Sequence, residues 1–136
     1  MTVRYILVIC FLMLALTFSN FCHTPSCGKS CPKIEFLETE HEFGEVAMNE
    51  DVSFVFRYKS VGNQPLIISH VGSSCGCTTA QWSSKPLMTG KTGVLRVTFT
   101  PSSPGPFRKT IVVYSNAGNT PNVVLRIKGV VCPSQH

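Results

Sequence analysis

Val94-Leu95-Arg96-Val97-Thr98-Phe99 alternates apolar and polar side chains residue by residue. In an extended strand successive side chains point to opposite faces, so Leu95, Val97 and Phe99 share a buried face while Arg96 and Thr98 meet water. The scheme recurs along the chain. Ser53-Phe54-Val55-Phe56-Arg57-Tyr58-Lys59 turns Phe54, Phe56 and Tyr58 to one side, and Val123-Val124-Leu125-Arg126-Ile127-Lys128 turns Val123, Leu125 and Ile127 inward. β-Branched and aromatic residues fill these runs, as a half-buried pleated surface favours. Turn signals stand between them: Gly62-Asn63, Pro104-Gly105-Pro106 and Asn116-Ala117-Gly118-Asn119. Seven candidate strands follow, near residues 34–38, 42–47, 52–59, 65–71, 93–100, 107–114 and 122–131. No stretch holds a helical period over about ten residues. The pattern predicts an all-β, immunoglobulin-like β-sandwich of about seven antiparallel strands, with an up-and-down barrel as the alternative. The strand at 122–131, near the end of the chain, is expected at a sheet edge.

With 136 residues, 43% hydrophobic and 14% charged, the chain is one domain with a packed core. That excludes a coiled coil, a collagen, a large two-domain enzyme and a multi-span membrane protein. The net charge is +5, but its distribution says more. All seven acids lie between Glu35 and Asp51, and nine basic residues follow with no acid among them. The simple reading is an acidic edge beside a basic sheet, each neutralising the other. The alternative is a dipolar surface that docks on a partner.

Ahead of the strands, Arg4 precedes an uncharged run from Tyr5 to Leu16, and Thr17-Phe18-Ser19 supplies small residues. This predicts a signal peptide over residues 1–21, too short for a membrane span of about 20 apolar residues. Cys22 is a candidate lipidation site, although Phe21 stands where a small residue is usual. Soluble export, a lipoprotein and an uncleaved anchor all deliver the chain to an oxidising space in the periplasm or cell envelope. Contact with a membrane is expected only through the signal or the lipid. Residues 22–33, rich in Cys, Pro and Gly, read as a flexible arm, 34–132 as the sandwich and 133–136 as a tail.

Several short motifs occur in a fixed order: Phe43-Gly44-Glu45-Val46, Asn63-Gln64-Pro65-Leu66-Ile67-Ile68, Ser74-Cys75-Gly76-Cys77-Thr78, Ser115-Asn116-Ala117 and Ile127-Lys128-Gly129. In order and spacing they resemble the bacterial exported family called domain of unknown function 1573, over roughly residues 34–131. That family is similar to PapD-like and Hydin-type immunoglobulin-like domains. The resemblance implies a sandwich and an envelope location, and implies no activity.

Seven cysteines are many for this length. Cys10 leaves with the signal, and six cysteines allow 15 full pairings. Cys27, Cys31, Cys75, Cys77 and Cys132 are the disulfide candidates, with a local Cys27–Cys31 bond as one simple solution. Cys75 and Cys77 carry the most chemistry. In an extended strand their thiols share a face with Cα atoms about 6.6 Å apart, near the limit for a disulfide. Gly76 can let the backbone tighten into a small, reducible ring. The same two thiolates also suit a soft ion, copper or zinc, with His70 as a third ligand. The simplest alternative is structural: two small buried residues, or bonds to distant cysteines. His70 has its own plain reading as a surface residue near a strand end.

Enzyme motifs fail on inspection. Gly72-Ser73-Ser74-Cys75-Gly76 matches the Gly-x-Ser-x-Gly elbow in letters, but that elbow needs a helix after it, and Cys77-Thr78-Thr79 is strand-like. Gly28-Lys29-Ser30 lacks the earlier glycine of a phosphate loop, because His23 stands there. The acidic cluster lacks the spacing of a calcium loop. Basic residues alternate with core residues as on any wet sheet face, so no nucleic-acid partner is expected. The sequence therefore predicts a non-catalytic module that binds an envelope protein and carries no required cofactor. A thiol-based metal or redox protein centred on Cys75-Gly76-Cys77 is the alternative.

Overall fold

A computed structural model describes residues 30–133. The expected signal peptide and most of the arm, with Cys22 and Cys27, lie outside the described residues, as does the end of the tail. The described chain is built from eight strands: β1 (Ile34–Phe36), β2 (Glu40–Ala47), β3 (Val52–Ser60), β4 (Ile68–Ser73), β5 (Thr78–Gln81), β6 (Thr92–Phe99), β7 (Gly105–Ser115) and β8 (Asn122–Cys132). They form two four-stranded sheets, ordered β1-β3-β6-β5 and β2-β8-β7-β4. Phe56, Leu95, Val97, Ile111, Val113, Leu125 and Ile127 are wholly buried between them. The alternation therefore assigned the inward faces correctly, and the sandwich stands.

Four details differ from the sequence expectation. First, Thr78–Gln81 forms an eighth strand, paired with Arg96–Phe99. Second, the strand expected at 65–71 begins only at Ile68, because Leu66 turns aside to bridge Leu87. Third, β8 is interior rather than an edge, lying between β7 and β2. β2 runs parallel to it, so the sheets are not wholly antiparallel. This pairing also resolves the charge segregation. The register sets Glu40 opposite Arg126 and Glu42 opposite Lys128. Lys128 Nζ lies 2.7 Å from Glu40 and 3.5 Å from Glu42.

Fourth, the arm ends inside the domain. Cys31 is buried, and packing begins there rather than at Ile34. Its carbonyl accepts from Asn63 N–H, that of Pro32 from Gly118 and that of Lys33 from Val61. Gly62 makes this approach practicable, because a side chain there would run into the Cys31–Lys33 backbone.

The recurring motifs interlock in space. Asn116 Oδ1 accepts from Ile67 N–H at 2.8 Å, and its amide donates to Pro65 O at 3.1 Å, so the two Asn-containing motifs cap one another. Phe43-Gly44 forms a bulge between Glu42 and Glu45 against β8. Gly129 lies beneath it, where a Cβ would come within 2.7 Å of Gly44 O and 2.8 Å of the Phe107 ring.

Candidate functional site

Two places on the molecule carry chemistry beyond the fold. The first is the corner where the chain leaves β4 in one sheet for β5 in the other. Cys75 and Cys77 sit in this turn and are bonded to each other, with Cα atoms 5.3 Å apart. The extended spacing of about 6.6 Å has closed because the backbone turns at Gly76. The corner is stitched from both sides. Ser74 N–H donates to Thr110 O (2.9 Å), Thr110 N–H to Ser74 Oγ (3.2 Å) and Thr100 N–H to Cys77 O (3.0 Å). Ser73 Oγ lies 2.9 Å from Cys75 O and 2.8 Å from Thr78 O. The two sulfurs differ. Cys77 packs against the core and lines a recess of about 200 Å³ that it shares with Phe99, Phe107 and Lys109. Cys75 stands 3.6 Å from Thr78 Oγ1.

A bond across so short a loop removes little unfolded-chain entropy, about 1.6 kcal/mol by the loop-closure relation against about 3 for a 15-residue loop. It is a weak staple. The remaining cysteines divide. Cys31 is disulfide-bonded, whereas Cys132, expected among the disulfide candidates, is a free thiol at the end of β8. His70 is not gathered with the cysteine pair into a three-ligand site. Among the described residues no three His, Cys, Asp or Glu side chains meet. Its ring lies between those of Trp82 (6.4 Å) and Tyr114 (5.8 Å) instead.

The second place is a groove along β6. β3 pairs with all of β6, but β5 covers only Arg96 to Phe99. Among the described residues, the strand from Thr92 to Leu95 has a neighbour on one side alone. The connection from Trp82 onward is drawn away by the Leu66–Leu87 bridge, whose two hydrogen bonds measure 2.9 and 2.7 Å. It rejoins the sheet where Gly90 N–H donates to Ser60 O. The space left open is about 620 Å³, lined by Trp82, Pro86 and Leu87 on one side and by Gly93, Val94 and Arg96 on the other. Val94 is 54% exposed, and the Trp82 indole N–H is buried without an acceptor. Lys85 and Arg96 are the charges at the groove, and neither makes an ion pair with a described residue. Sequence reasoning missed this groove. Its one local sign is a lone Trp in the Ser-, Lys- and Pro-rich stretch 82–86.

Of the perturbed titrations only that of Tyr58, which lines the groove, lies near either place. The hydrogen bond and charge of Lys128 hold Glu40 below the ordinary carboxylate value, and Glu40 in turn raises Lys128. Burial raises the Tyr58 phenol.

The interlocked motifs agree with a comparison by family. The model of a protein of unknown function, DUF1573, matches residues 34–131. The chain belongs to this family. No curated protein matches the sequence. Among solved structures, a protein of unknown function from Porphyromonas gingivalis W83 superposes with a TM-score of 0.67 at 17% identity, over 79% of this chain and 51% of that one. The DUF1573 chain thus spans about half the length of that relative. An ASH/PapD-like domain of human CEP192 gives 0.64 at 12% identity, over 77% of this chain and 89% of that one. The VesB protease of Vibrio cholerae gives 0.61 at 13% identity, over 72% of this chain but only 32% of the protease. At such identities these likenesses establish a PapD-like, immunoglobulin-like sandwich and nothing about activity.

Proposed function

We propose that this DUF1573 protein is a non-catalytic module of the cell envelope that receives an extended, carboxylate-bearing segment of a protein partner in the β6 groove. The observation that carries the reading is the open half of β6. A strand lacking a neighbour presents free backbone N–H and C=O groups, and an added strand satisfies them while side-chain pockets set specificity. Thr92–Leu95 is such an edge, and it lies beside apolar walls rather than bare solvent. Trp82 lines the same groove and supplies part of its apolar wall. Charge selects the partner's chemistry: Lys85 and Arg96 make no ion pair among the described residues, whereas the acids of this chain are concentrated on and around β2. The fold supports an interaction role, because one likeness is to a PapD-like domain. Bonded cysteines at Cys31, Cys75 and Cys77 support an oxidising compartment.

The test uses the purified, isotope-labelled chain and two ten-residue peptides with alternating valines, one carrying glutamates and one lysines. The glutamate peptide is expected to shift the amides of Thr92–Leu95 and the Trp82 indole N–H, and to protect them from hydrogen exchange. Equal response to both peptides, or shifts confined to β2 or β4, would overturn the reading.

A second reading, thiol chemistry at Cys75-Gly76-Cys77, is favoured by one observation, the bond between the two sulfurs. Capture of copper or zinc there requires that bond to be reduced first, since thiolates are the ligands.

A further inference from the structure

We infer that the Cys75–Cys77 bond is an exchangeable redox site that accepts two electrons from a dithiol, either a small molecule or a cysteine pair on another exported protein. The inference stands apart from the β6 groove and does not depend on it. Three observations carry it. The bond joins residues separated by one glycine, so it holds together nothing that the chain does not already hold. The corner is also held by hydrogen bonds that do not involve the sulfurs, those of Ser74 with Thr110 and of Thr100 with the Cys77 carbonyl on either side. Reduction therefore leaves two thiols facing each other, poised to close again. Finally, the two sulfurs sit in different surroundings, which gives the exchange a direction: Cys77 packs on the core beside Lys109, and Cys75 does not.

The exchange proceeds in two displacements. A donor thiolate attacks Cys75 Sγ. A sulfur–sulfur bond forms between donor and Cys75, the Cys75–Cys77 bond breaks, and its electron pair remains on Cys77 as a thiolate. That thiolate forms in a recess that Lys109 also lines, and a basic side chain nearby favours it. The donor's second thiol, deprotonated in turn, attacks the donor sulfur of the mixed disulfide. The donor leaves as a disulfide, and Cys75 is released as a thiolate. The two protons lost by the donor are taken up, through solvent, by Cys75 and Cys77. The donor is oxidised by two electrons and the pair is reduced by two.

The experiment equilibrates the full chain in buffers of reduced and oxidised dithiothreitol, alkylates free thiols, and maps them by mass spectrometry beside far-UV circular dichroism. Cys75 and Cys77 are expected to become alkylatable together, at a dithiol-to-disulfide ratio at least about tenfold below that which opens the Cys31 bond. The strand spectrum should be unchanged, and oxidised dithiothreitol should restore the bond. A pair that opens only with the Cys31 bond, or only as the spectrum collapses, would overturn the inference. Limiting reduced glutathione with an acid quench provides a second reading. The trapped mixed disulfide should stand on Cys75 at least about fivefold more often than on Cys77, and equal occupancy would remove the assigned direction. The double variant Cys75→Ser/Cys77→Ser should keep the native spectrum, since the corner does not rest on the bond.

Discussion

The two sheets treat their edges in opposite ways. In the sheet ordered β2-β8-β7-β4, the basic strand β8 is flanked on both sides, and the acids of β2 lie against its lysine and arginine. Lys128 meets two carboxylates there, and Gly129 lets the β2 backbone approach so closely that no side chain would fit. In the sheet ordered β1-β3-β6-β5, half of β6 has no second neighbour, and Arg96 and Lys85 have no ion pair among the described residues. The contrast shows where to look for function in a fold that serves many. Hydrogen bonds and charges satisfied internally belong to folding, and those left open beside apolar walls belong to binding. Both regions contain alternating apolar and basic residues, so composition does not separate them. Pairing does.

Breaking the closed edge should have the largest effect. Gly129→Ala places a methyl group against Gly44 O and the Phe107 ring, neither of which is the free end of a flexible chain. Overpacking of this kind destabilises by about 2–3 kcal/mol. Urea unfolding should show that loss, together with faster exchange of the β2 amides. A variant as stable as the parent would mean that β2 is not held where the register places it.

Reversing the charge of the open edge sharpens the comparison from the other side. Lys85→Glu/Arg96→Glu should weaken binding of the glutamate peptide by at least about tenfold and strengthen that of the lysine peptide. The unfolding midpoint should hardly move, because both side chains are exposed. Lys128→Glu, on the closed edge, should leave peptide binding as it was. If Lys128→Glu weakened binding as much as the groove variant, the interaction would be a general field effect and the groove would lose its assignment.

These expectations also mark what the sequence could carry. Period-two alternation reports which side of a strand is buried, and Leu95, Val97, Phe99, Leu125 and Ile127 all lie inward as read. It is blind to strand direction and neighbour, so the parallel β2–β8 pair could not be seen, and β8 was expected at an edge because it comes last. The spacing of Glu40 and Glu42 against Arg126 and Lys128 was a usable clue, since opposite charges two residues apart on each strand match in register. β5 was missed because its four residues follow a turn and offer no run of alternation. The cysteine pair was legible as a motif but not as a bond, because the outcome depended on how far the chain turns at Gly76. The β6 groove was not legible at all. It exists because a bridge between Leu66 and Leu87 diverts a loop, and such a contact leaves no local pattern.

The smallest expected effect tests whether the closed edge is electrostatically complete. Glu40 is held below its ordinary value of 4.5 by Lys128. A carboxylate depressed in the folded state contributes stability that is fully present above its unfolded value and is lost as pH falls through the folded one. The advantage of the parent over Glu40→Gln should therefore persist at neutral pH and fade below pH 4.5. Lys128 behaves in mirror image. Its value is raised above 10.5, so its contribution is present at neutral pH and lost as alkali passes the raised value. Both carboxylate and ammonium stand in solvent, so the difference should be slight at physiological salt and grow as salt is removed. Thermal unfolding of parent and Glu40→Gln at pH 3 and pH 7, in low and high salt, reads it directly. A pH-independent gap between the two would show that Glu40 acts through packing, and the match of acid to base along β2 and β8 would then be a matter of register alone.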